Sequence, residues 1–454
     1  MPFDSKRPLA SQPARHLATL ALATAALIAC GGGGGDAAAP PDVAAGCDVP
    51  SQNTWLRAYL RDTYYWNSAA PSPDPTGFVS VQSYFEAQLF AGNAAAPADR
   101  WSYIQDTASH DRFFGEGSTL GYGLFINGVE ARLPLKVRFT EAASPAAAAG
   151  LVRGQIIASI NGTSAAELAA TGDYTALSPA KAGDVLTVVV ETPTGTRTVA
   201  LSAATYGLTP VPVSSVLTLP DGGKAGYLVL KDFITQAEAP LASAIDGFRA
   251  AGATELIVDL RYNGGGRLST ASKLASLIAG EGGTGKVFTR LEFNAKQAAR
   301  NFNYTLSGGT GSAFNRVVVL TGPRTCSASE LIVNGLKPHV NVVTIGAATC
   351  GKPFGFVPTA HCASTYSAVN FESFNALGQG RYYDGIGATC AATDDFSGTL
   401  GSASEPMTTT ALNYLSAGNC AVVNVAERQR ALAVRARVRS QGAEAGERQG
   451  MWAD

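Results

Sequence analysis

The chain has 454 residues, 46% of them hydrophobic and 15% charged, and its formal net charge is −1. This composition is that of an ordinary globular chain with enough apolar material for two or three domains. Because the charge is close to zero, the sequence lacks the basic bias of nucleic-acid-binding proteins, and we expect no nucleic acid among its partners.

Residues 1–29 have the order of a targeting segment. Basic residues precede an apolar run of 12 residues at positions 17–28, which is too short to span a bilayer as a mature helix. The run ends in Leu27-Ile28-Ala29-Cys30, which is similar to a bacterial lipobox, a site that is cut before a cysteine that then carries a lipid. We therefore expect a lipoprotein signal peptide and a lipidated Cys30. Simple cleavage at a small residue is the alternative.

The residues after Cys30 indicate how the protein is attached and where it is located. Residues 30–46 are rich in Gly, Ala and Pro, a composition that is typical of a flexible tether. Gly31, in place of an aspartate, resembles lipoproteins that are sorted to the outer membrane. The expected location is therefore the bacterial cell envelope, with the protein facing the periplasm on a lipid anchor.

The chain has seven cysteines, and six remain if Cys30 is lipidated. In an oxidising compartment an even number of cysteines favours disulfides, here three, whose connectivity the sequence leaves open. Cys350 and Cys362 are the closest pair in the sequence, so spacing suggests that these two are joined. Because no cysteine or histidine cluster has zinc spacing, we expect neither a metal site nor another cofactor.

The pattern from residue 47 to about residue 115 is helical. Trp55, Leu56, Tyr59 and Leu60 lie on one side at helical spacing, and such an aromatic stripe predicts a packed core rather than a ligand site. Residues 116–204 are β-rich, with a glycine turn at Gly121-Tyr122-Gly123-Leu124 that leads into a strand.

From residue 205 to about residue 425 strands alternate with helices, for example a strand at 255–260 and a helix near residues 268–279. This alternation predicts an α/β fold with crossover connections. Residues 426–454 form a charged tail, and its arginines are expected on a solvated helical face.

A serine lies where one of these strands passes into a helix. An apolar run at 316–320 is followed by a turn, by Ser327-Ala328-Ser329-Glu330 and by a helical stretch, and a second strand leads to Gly351-Lys352. The start of a helix exposes free N–H groups that can stabilise an oxyanion. A lysine can act as the general base for a serine if burial keeps it neutral.

Helix capping is the simpler interpretation of Ser327. Ser-x-x-Glu is a capping box, and Ser402-Ala403-Ser404-Glu405 repeats the tetrapeptide before another helical stretch. A lysine is absent at the matching distance from the second copy, where Glu427 stands. The tetrapeptide alone therefore does not identify a nucleophile.

The wider pattern resembles the S41 serine peptidases, which include the C-terminal processing and tail-specific proteases. These enzymes use a serine in a Ser-Ala-Ser-Glu context and a lysine 25 residues later in Gly-Lys, and here Lys352 follows Ser327 by 25 residues. Their second signature, Asp-Leu-Arg-x-Asn-Pro-Gly-Gly, is similar to the segment from Asp259 to Gly266. The core resemblance covers roughly residues 205–420.

This resemblance implies the fold and the domain order. The fold class is α/β, in a multi-domain α+β chain. Residues 47–115 would be the helical N-terminal domain, residues 116–204 resemble a PDZ domain, and residues 205–425 would be a peptidase core with the ββα spiral of crotonase and ClpP. In a PDZ domain the loop at 121–124 would hold the terminal carboxylate of a peptide through its backbone N–H groups.

The resemblance also implies the roles of the site residues. Ser327 would be the nucleophile and Lys352 the general base, Ala328 and Gly265 would supply the oxyanion N–H groups, and Glu330 matches a carboxylate near the site.

The chain departs from the family pattern at four positions. Gly264 replaces a proline, Pro353 follows the lysine, Phe356 replaces a glutamine that orients the lysine in some members, and Cys326 directly precedes the serine. These departures suggest a divergent branch and leave open what orients Lys352.

Two functions are compatible with the sequence. The first is a membrane-tethered serine endopeptidase that acts on proteins or peptides near their C-termini. The second is a non-catalytic PDZ lipoprotein that binds peptides or apolar ligands. The presence of both Ser327 and Lys352 at the family spacing favours the enzyme, and the oligomeric state is left open.

Overall fold

The computed structural model of the chain describes residues 46–128, 133–420 and 450–453. The expected signal peptide, Cys30, nearly all of the tether and most of the charged tail lie outside these residues. Within the part that is described, no helix combines the length and the apolar character needed to cross a bilayer.

The N-terminal segment is helical at its start, but it also contains a strand. Its elements are α1 (Val49–Thr63), α2 (Val81–Ala87), β1 (Tyr103–Asp106) and α3 (Thr107–Asp111). The Asp48 side chain caps α1 by accepting a hydrogen bond from the Ser51 N–H at 3.0 Å. The helical pattern predicted for residues 47–115 does not hold at β1, which pairs antiparallel with a strand at Ser364–Ser367. This pairing joins the segment to the end of the chain rather than to its own helices.

The aromatic stripe of α1 is packed, as the sequence predicts. Leu56 and Tyr59 belong to a buried cluster that also contains Phe354, Phe356 and Tyr366. The N-terminal segment therefore shares one core with residues about 300 positions later in the chain.

Residues 118–207 form small antiparallel sheets. Their elements are β2 (Ser118–Gly121), β3 (Leu124–Ile126), β4 (Val137–Thr140), α4 (Pro145–Ala148), β5 (Ile157–Ile160), β6 (Thr163–Ser164), α5 (Ala165–Thr171), β7 (Val185–Thr192), β8 (Gly195–Ser202) and β9 (Ala204–Gly207). The largest sheet among them has the order β6-β5-β7-β8. Its β5–β6 hairpin turns at Asn161 and Gly162, both with positive φ, as an Asn-Gly signal predicts. The β-rich prediction for this region is confirmed.

From residue 213 onward strands and helices alternate. In chain order these elements are β10 (Val213–Thr218), β11 (Lys224–Val229), α6 (Glu238–Ala250), β12 (Glu255–Asp259), β13 (Gly265–Arg267), α7 (Leu268–Ala279), β14 (Val287–Phe293), β15 (Phe302–Thr305), β16 (Arg316–Thr321), α8 (Ala328–Leu336), β17 (Asn341–Gly346), β18 (Phe354–Phe356), β19 (Thr359–His361), β20 (Ser364–Ser367), β21 (Val369–Phe374), β22 (Cys390–Ala391), α9 (Pro406–Ala417) and β23 (Gly450–Trp452).

The first large sheet is mostly parallel and is covered on both faces. Its order is β10-β11-β12-β16-β17-β22, and only the β10–β11 pair is antiparallel. Alternate residues of a strand point to opposite faces. Val317 and Val319 pack in the cluster of α6, α7 and α8, whereas Val318 and Leu320 pack in the cluster of α9. Burial on both faces explains the continuous apolar runs of these strands, and the α/β prediction is confirmed.

The second large sheet has the order β13-β23-β18-β21-β14-β15. Its strands β13 and β18 start shortly after the first sheet's strands β12 and β17 end. The loops that connect the two sheets contain Asn263 and Lys352. The ends of the parallel strands therefore bring the motif residues to one place, as expected for an α/β sheet.

Three disulfides join the described cysteines, and the predicted pairing of Cys350 with Cys362 is wrong. The pairs are Cys47–Cys362, Cys326–Cys350 and Cys390–Cys420. Cys362 instead ties the start of the N-terminal segment to the turn between β19 and β20. Sequence proximity failed as a guide because the fold places Cys350 beside the turn of Ser327.

Candidate active site

The turn between β16 and α8 holds Ser327 in a strained conformation. Ser327 has φ 58° and ψ −113°, a region that residues with a side chain rarely adopt. Such a conformation costs about 1–3 kcal/mol and persists only where neighbours enforce it. Here the Asn263 carbonyl accepts hydrogen bonds from the Cys326 N–H at 3.1 Å and from the Ser329 hydroxyl at 3.0 Å. The loop after β12 thus holds the turn on both sides of the serine.

The Ser327 side chain is fully buried, and its hydroxyl has no hydrogen-bond partner among the described residues. The backbone N–H of Glu330 faces this hydroxyl as in a capping box, but without hydrogen-bond geometry. Of the two hydrogen bonds of a capping box, only the second is formed: the Glu330 carboxylate accepts the Ser327 N–H at 2.9 Å. Capping therefore accounts for Glu330 but leaves the serine hydroxyl unexplained.

The buried Glu330 carboxylate connects the serine turn to the lysine. It accepts the Gly351 and Lys352 N–H groups, both at 2.8 Å, and the Thr349 hydroxyl. The N–H groups of Ser327 and Lys352 donate to the same oxygen, Oε2. Burial raises the pKa of the Glu330 carboxyl, and the hydrogen bonds that it accepts oppose this increase. One acidic side chain thus sets the spacing between the two predicted catalytic residues.

A disulfide makes the same connection covalently. Cys326 precedes the serine, Cys350 lies two residues before the lysine, and their sulfurs are bonded. The Cys350 N–H also donates to the Thr325 carbonyl at 3.0 Å. The ligand atoms of Cys326, Glu330 and Cys350 lie within 4.8 Å of one another. A metal would need free thiolates, so the disulfide form of this cluster is not a metal site.

The Lys352 side chain is fully buried in an apolar setting. Its Nζ lies 3.8 Å from the centre of the Phe356 ring. Burial lowers the pKa of Lys352 to about 7, against the opposing effect of the Asp99 and Glu330 carboxylates. A lysine with this pKa is substantially neutral at neutral pH, as a general base must be.

The N-terminal segment contributes residues that the sequence did not reveal. The Asp99 carboxylate is held by the Tyr64 hydroxyl at 2.6 Å and by the Trp101 N–H at 2.9 Å. Arg100 donates through Nη2 to the Cys350 carbonyl at 3.3 Å. The sequence Asp99-Arg100-Trp101 carries no recognisable motif, so only the packing of this segment could identify it as part of the site.

The two N–H groups that are predicted to stabilise the oxyanion differ in the hydrogen bonds that they make in this structure. Ala328 is the first residue of α8, where the N–H groups of the first turn have no partner within the helix. The Gly265 N–H, in contrast, donates to Asn263 Oδ1 at 2.8 Å. In this structure the Gly265 N–H is therefore already engaged, and Ala328 is the better candidate.

Asp259 and Arg261, from the second motif, support the site but are not part of it. The Arg261 guanidinium pairs with Asp259 and, through two hydrogen bonds of 2.7 and 3.0 Å, with Glu405. All three side chains are buried. This ion network anchors the loop that holds the serine turn.

The glycine turn at residues 121–124 lies apart from this site. It lines a cavity of about 460 Å³ together with residues of α3 and the following turn, among them Ser109 and Arg112. The Tyr122 and Gly123 carbonyls accept hydrogen bonds from the Ala146 and Glu141 N–H groups, which hold the turn in place.

The chain is similar to known peptidases over most of the regions described above. A family model described as peptidase family S41 matches residues 224–379, and one described as the peptidase S41 N-terminal domain matches residues 51–103. A carboxyl-terminal-processing protease of Picosynechococcus sp. is 28% identical over 238 residues, which are 52% of this chain and 55% of the relative. The chloroplastic carboxyl-terminal-processing peptidase 3 of Arabidopsis thaliana is 26% identical over 53% of this chain and 47% of its own length. The chain thus matches about half the length of these curated relatives.

Two solved structures share the fold. A Bacteroides fragilis protein assigned to the S41 proteases superposes with a TM-score of 0.63 at 22% identity, covering 80% of this chain and 97% of that one. The photosystem II D1 C-terminal processing protease superposes with a TM-score of 0.52 at 19% identity, covering 79% of this chain and 99% of that one. These superpositions show that the chain has the α/β fold of these two proteins. The two family models show that residues 51–103 and 224–379 are similar to peptidase family S41, and the relatives point to the same family.

Proposed function

We propose that the protein is a serine endopeptidase that cleaves extracytoplasmic proteins or peptides with a Ser327–Lys352 dyad. The observation that carries this proposal is the Ser327 hydroxyl, which is buried in a strained turn and has no hydrogen-bond partner among the described residues. The Glu330 carboxylate joins this turn to the backbone of the buried Lys352. Strained backbone and an unpaired buried hydroxyl both cost stability, and a structural serine would need neither.

In the proposed mechanism Ser327 Oγ attacks the scissile carbonyl carbon while neutral Lys352 takes the hydroxyl proton. The Ala328 N–H stabilises the oxyanion of the tetrahedral intermediate. The lysine then gives its proton to the leaving amine, and an acyl-enzyme remains on Ser327. Water, deprotonated by Lys352, hydrolyses this ester and restores the serine. Glu330 holds the backbone of both residues and does not itself exchange protons with the substrate.

The decisive experiment is incubation of the purified protein with unfolded periplasmic proteins, beside the Ser327→Ala variant. We expect fragments from the wild-type protein and none from the variant, since alanine has no nucleophile. Equal fragmentation by both proteins would refute the dyad. If neither protein cleaves while peptides still bind, the second function, a non-catalytic peptide-binding lipoprotein, would replace the proposal.

We further propose that the turn at residues 121–124 binds the C-terminus of the substrate. Its support is the cavity that this turn lines, with Arg112 at the same cavity as a cationic group for a carboxylate. Peptide binding to the Ser327→Ala variant should weaken when the C-terminus of the peptide is amidated. Equal affinity for the free acid and the amide, measured by calorimetry, would count against this role.

The proposed location is the periplasmic side of the bacterial envelope, with a lipid on Cys30. This proposal rests on the order of basic residues, apolar run and Leu-Ile-Ala-Cys, and on the presence of disulfides, which persist in oxidising compartments. Cys30→Ser should release the protein from membranes or block its maturation. Unchanged membrane fractionation, with no lipid on the mature protein by mass spectrometry, would contradict it.

A further inference from the structure

Residues 450–453 lie inside the second large sheet rather than at its edge. Strand β23 runs parallel to β13, with Gly450 opposite Gly265 and Trp452 opposite Arg267. On its other side it runs parallel to β18, with Trp452 opposite Phe356. The Ala453 N–H donates to the Phe356 carbonyl at 3.0 Å. The segment is thus paired through its backbone on both sides.

Both strands that flank this segment start at the candidate active site. Strand β13 begins two residues after Asn263, whose carbonyl holds the turn of Ser327. Strand β18 begins two residues after Lys352, and the ring of its Phe356 lies against Lys352 Nζ. The segment therefore bridges the serine side and the lysine side of the site.

Strands β13 and β18 leave a gap that is one strand wide. In the described sheet they are neighbours of β23 and not of each other. Without β23, each would present a row of unpaired backbone N–H and C=O groups. Such edges bind extended peptides by strand addition, in which the backbone hydrogen bonds supply affinity for many sequences. The gap therefore has the geometry of a site for an extended polypeptide.

We propose that residues 450–453 occupy the groove in which an extended substrate binds next to Ser327 and Lys352, and that they act as an internal competitor of the substrate. The inference rests on the proposed peptidase function. It agrees with the complete burial of both Ser327 and Lys352 in the structure that contains this strand.

The competition is intramolecular, since residues 421–449 connect the segment to the rest of the same chain. A tethered competitor acts at an effective concentration that does not change on dilution. A substrate has to displace the segment before it can bind, so the segment raises the apparent KM. The kcat at saturating substrate stays the same, because the displaced segment no longer touches the site.

The test compares the mature chain with a variant that lacks residues 450–454. A matched control lacks five residues, 440–444, upstream of the segment. We expect the first deletion to lower KM by about tenfold with kcat unchanged, and the control deletion to leave both constants unchanged. If the first deletion fails to fold, Met451→Pro replaces it, because proline removes a backbone N–H from the strand without shortening the chain.

A second measurement does not depend on catalysis. The synthetic peptide Gly-Met-Trp-Ala-Asp should bind the truncated chain carrying Ser327→Ala and should bind the untruncated Ser327→Ala chain at least about tenfold more weakly. The same KM with and without residues 450–454, or equal binding of the peptide to both chains, would overturn the inference. If no variant cleaves any substrate while the peptide still prefers the truncated chain, the peptidase proposal fails but the occupancy of the groove is supported.

Discussion

The tetrapeptide Ser-Ala-Ser-Glu occurs at residues 327–330 and again at 402–405, and the two copies have different structures. In the first copy the leading serine is fully buried with φ 58°, and the glutamate is the third residue of α8. In the second copy the two serine hydroxyls lie 2.8 Å apart in a partly exposed turn. There Glu405 itself caps α9 by accepting the Thr408 N–H at 2.8 Å.

The difference comes from what surrounds each copy. The first copy follows a buried parallel strand and is held by the Asn263 carbonyl and by the Cys326–Cys350 disulfide. Its glutamate therefore faces the chain that carries Lys352. The glutamate of the second copy faces the Arg261 guanidinium instead. Identical local sequence thus supports a strained turn in one place and an ordinary helix start in the other.

The largest effect is expected when Lys352 is replaced, because the second copy of the tetrapeptide has no matching lysine. Lys352→Arg should lower kcat by more than about 10³-fold, because a guanidinium stays protonated at any working pH. Lys352→Ala should be as inactive, and Ser327→Ala with Lys352→Ala should cost little more than either change alone.

The same lysine sets the expected pH dependence. Only the neutral form can take the serine proton, so wild-type activity should rise with pH through about 7, where burial places the pKa of Lys352. Steady-state kinetics from pH 5 to 9, about two units on either side of this pKa, measures the profile. Substantial activity of Lys352→Arg, or a flat profile, would exclude Lys352 as the base.

The next effect distinguishes the two glutamates by activity. Glu330→Gln should lower kcat on the order of 10²-fold, since one amide oxygen cannot accept all the donors that now fix the Ser327 and Lys352 backbones. The residual activity should begin to rise at lower pH, because the Glu330 charge that favours protonated Lys352 is gone. Glu405→Gln should change kcat much less. Equal losses of kcat in both variants would contradict this assignment.

The same pair can be compared by stability. Glu405→Gln should lower the free energy of unfolding by about 3 kcal/mol, because it leaves the buried Arg261 guanidinium with fewer charged partners. Urea denaturation at neutral pH measures this change. A loss below about 1 kcal/mol, which is typical of exposed ion pairs, would mean that the pair is not structural.

Two disulfides form a matched pair for a third test. Cys326–Cys350 and Cys390–Cys420 close loops of similar sequence separation, 24 and 30 residues. Replacing either pair with serines should therefore lower stability by a similar amount, about 3 kcal/mol. Only the loss of Cys326–Cys350 should also lower kcat, by about tenfold, because it separates the serine and lysine segments. Equal kcat values in the two variants would assign both disulfides to stability alone.

The smallest effect is expected in the second tetrapeptide. Ser402→Ala should change the free energy of unfolding by less than about 0.5 kcal/mol and leave kcat unchanged, since its hydroxyl bonds only to neighbours in a partly exposed turn. Thermal unfolding and the peptidase assay measure both. A lower kcat in this variant would contradict the prediction, because it would mean that the second copy also contributes to activity.

Local elements were predictable because their patterns depend on near neighbours. The helix expected near residues 268–279 is α7, and the strand expected before Gly351-Lys352 is β17. Strand β1 was missed because its four residues pair with β20, which lies more than 250 positions later in the chain. The pairing of Cys350 with Cys362 was wrong for the same reason, since spacing says nothing about which loops meet.

The sequence by itself determined the alternation of strands and helices from residue 205 onward, the serine and lysine with their spacing, and the α/β class, because apolar periodicity and short motifs are local properties. The tertiary structure alone decided that Glu330 joins the Ser327 and Lys352 backbones, that the Phe356 ring lies against Lys352, and that Asp99 comes close to the site. It also placed residues 450–453 between β13 and β18. These contacts join residues that are distant in the chain, and only the packing of sheets and loops sets which of them meet.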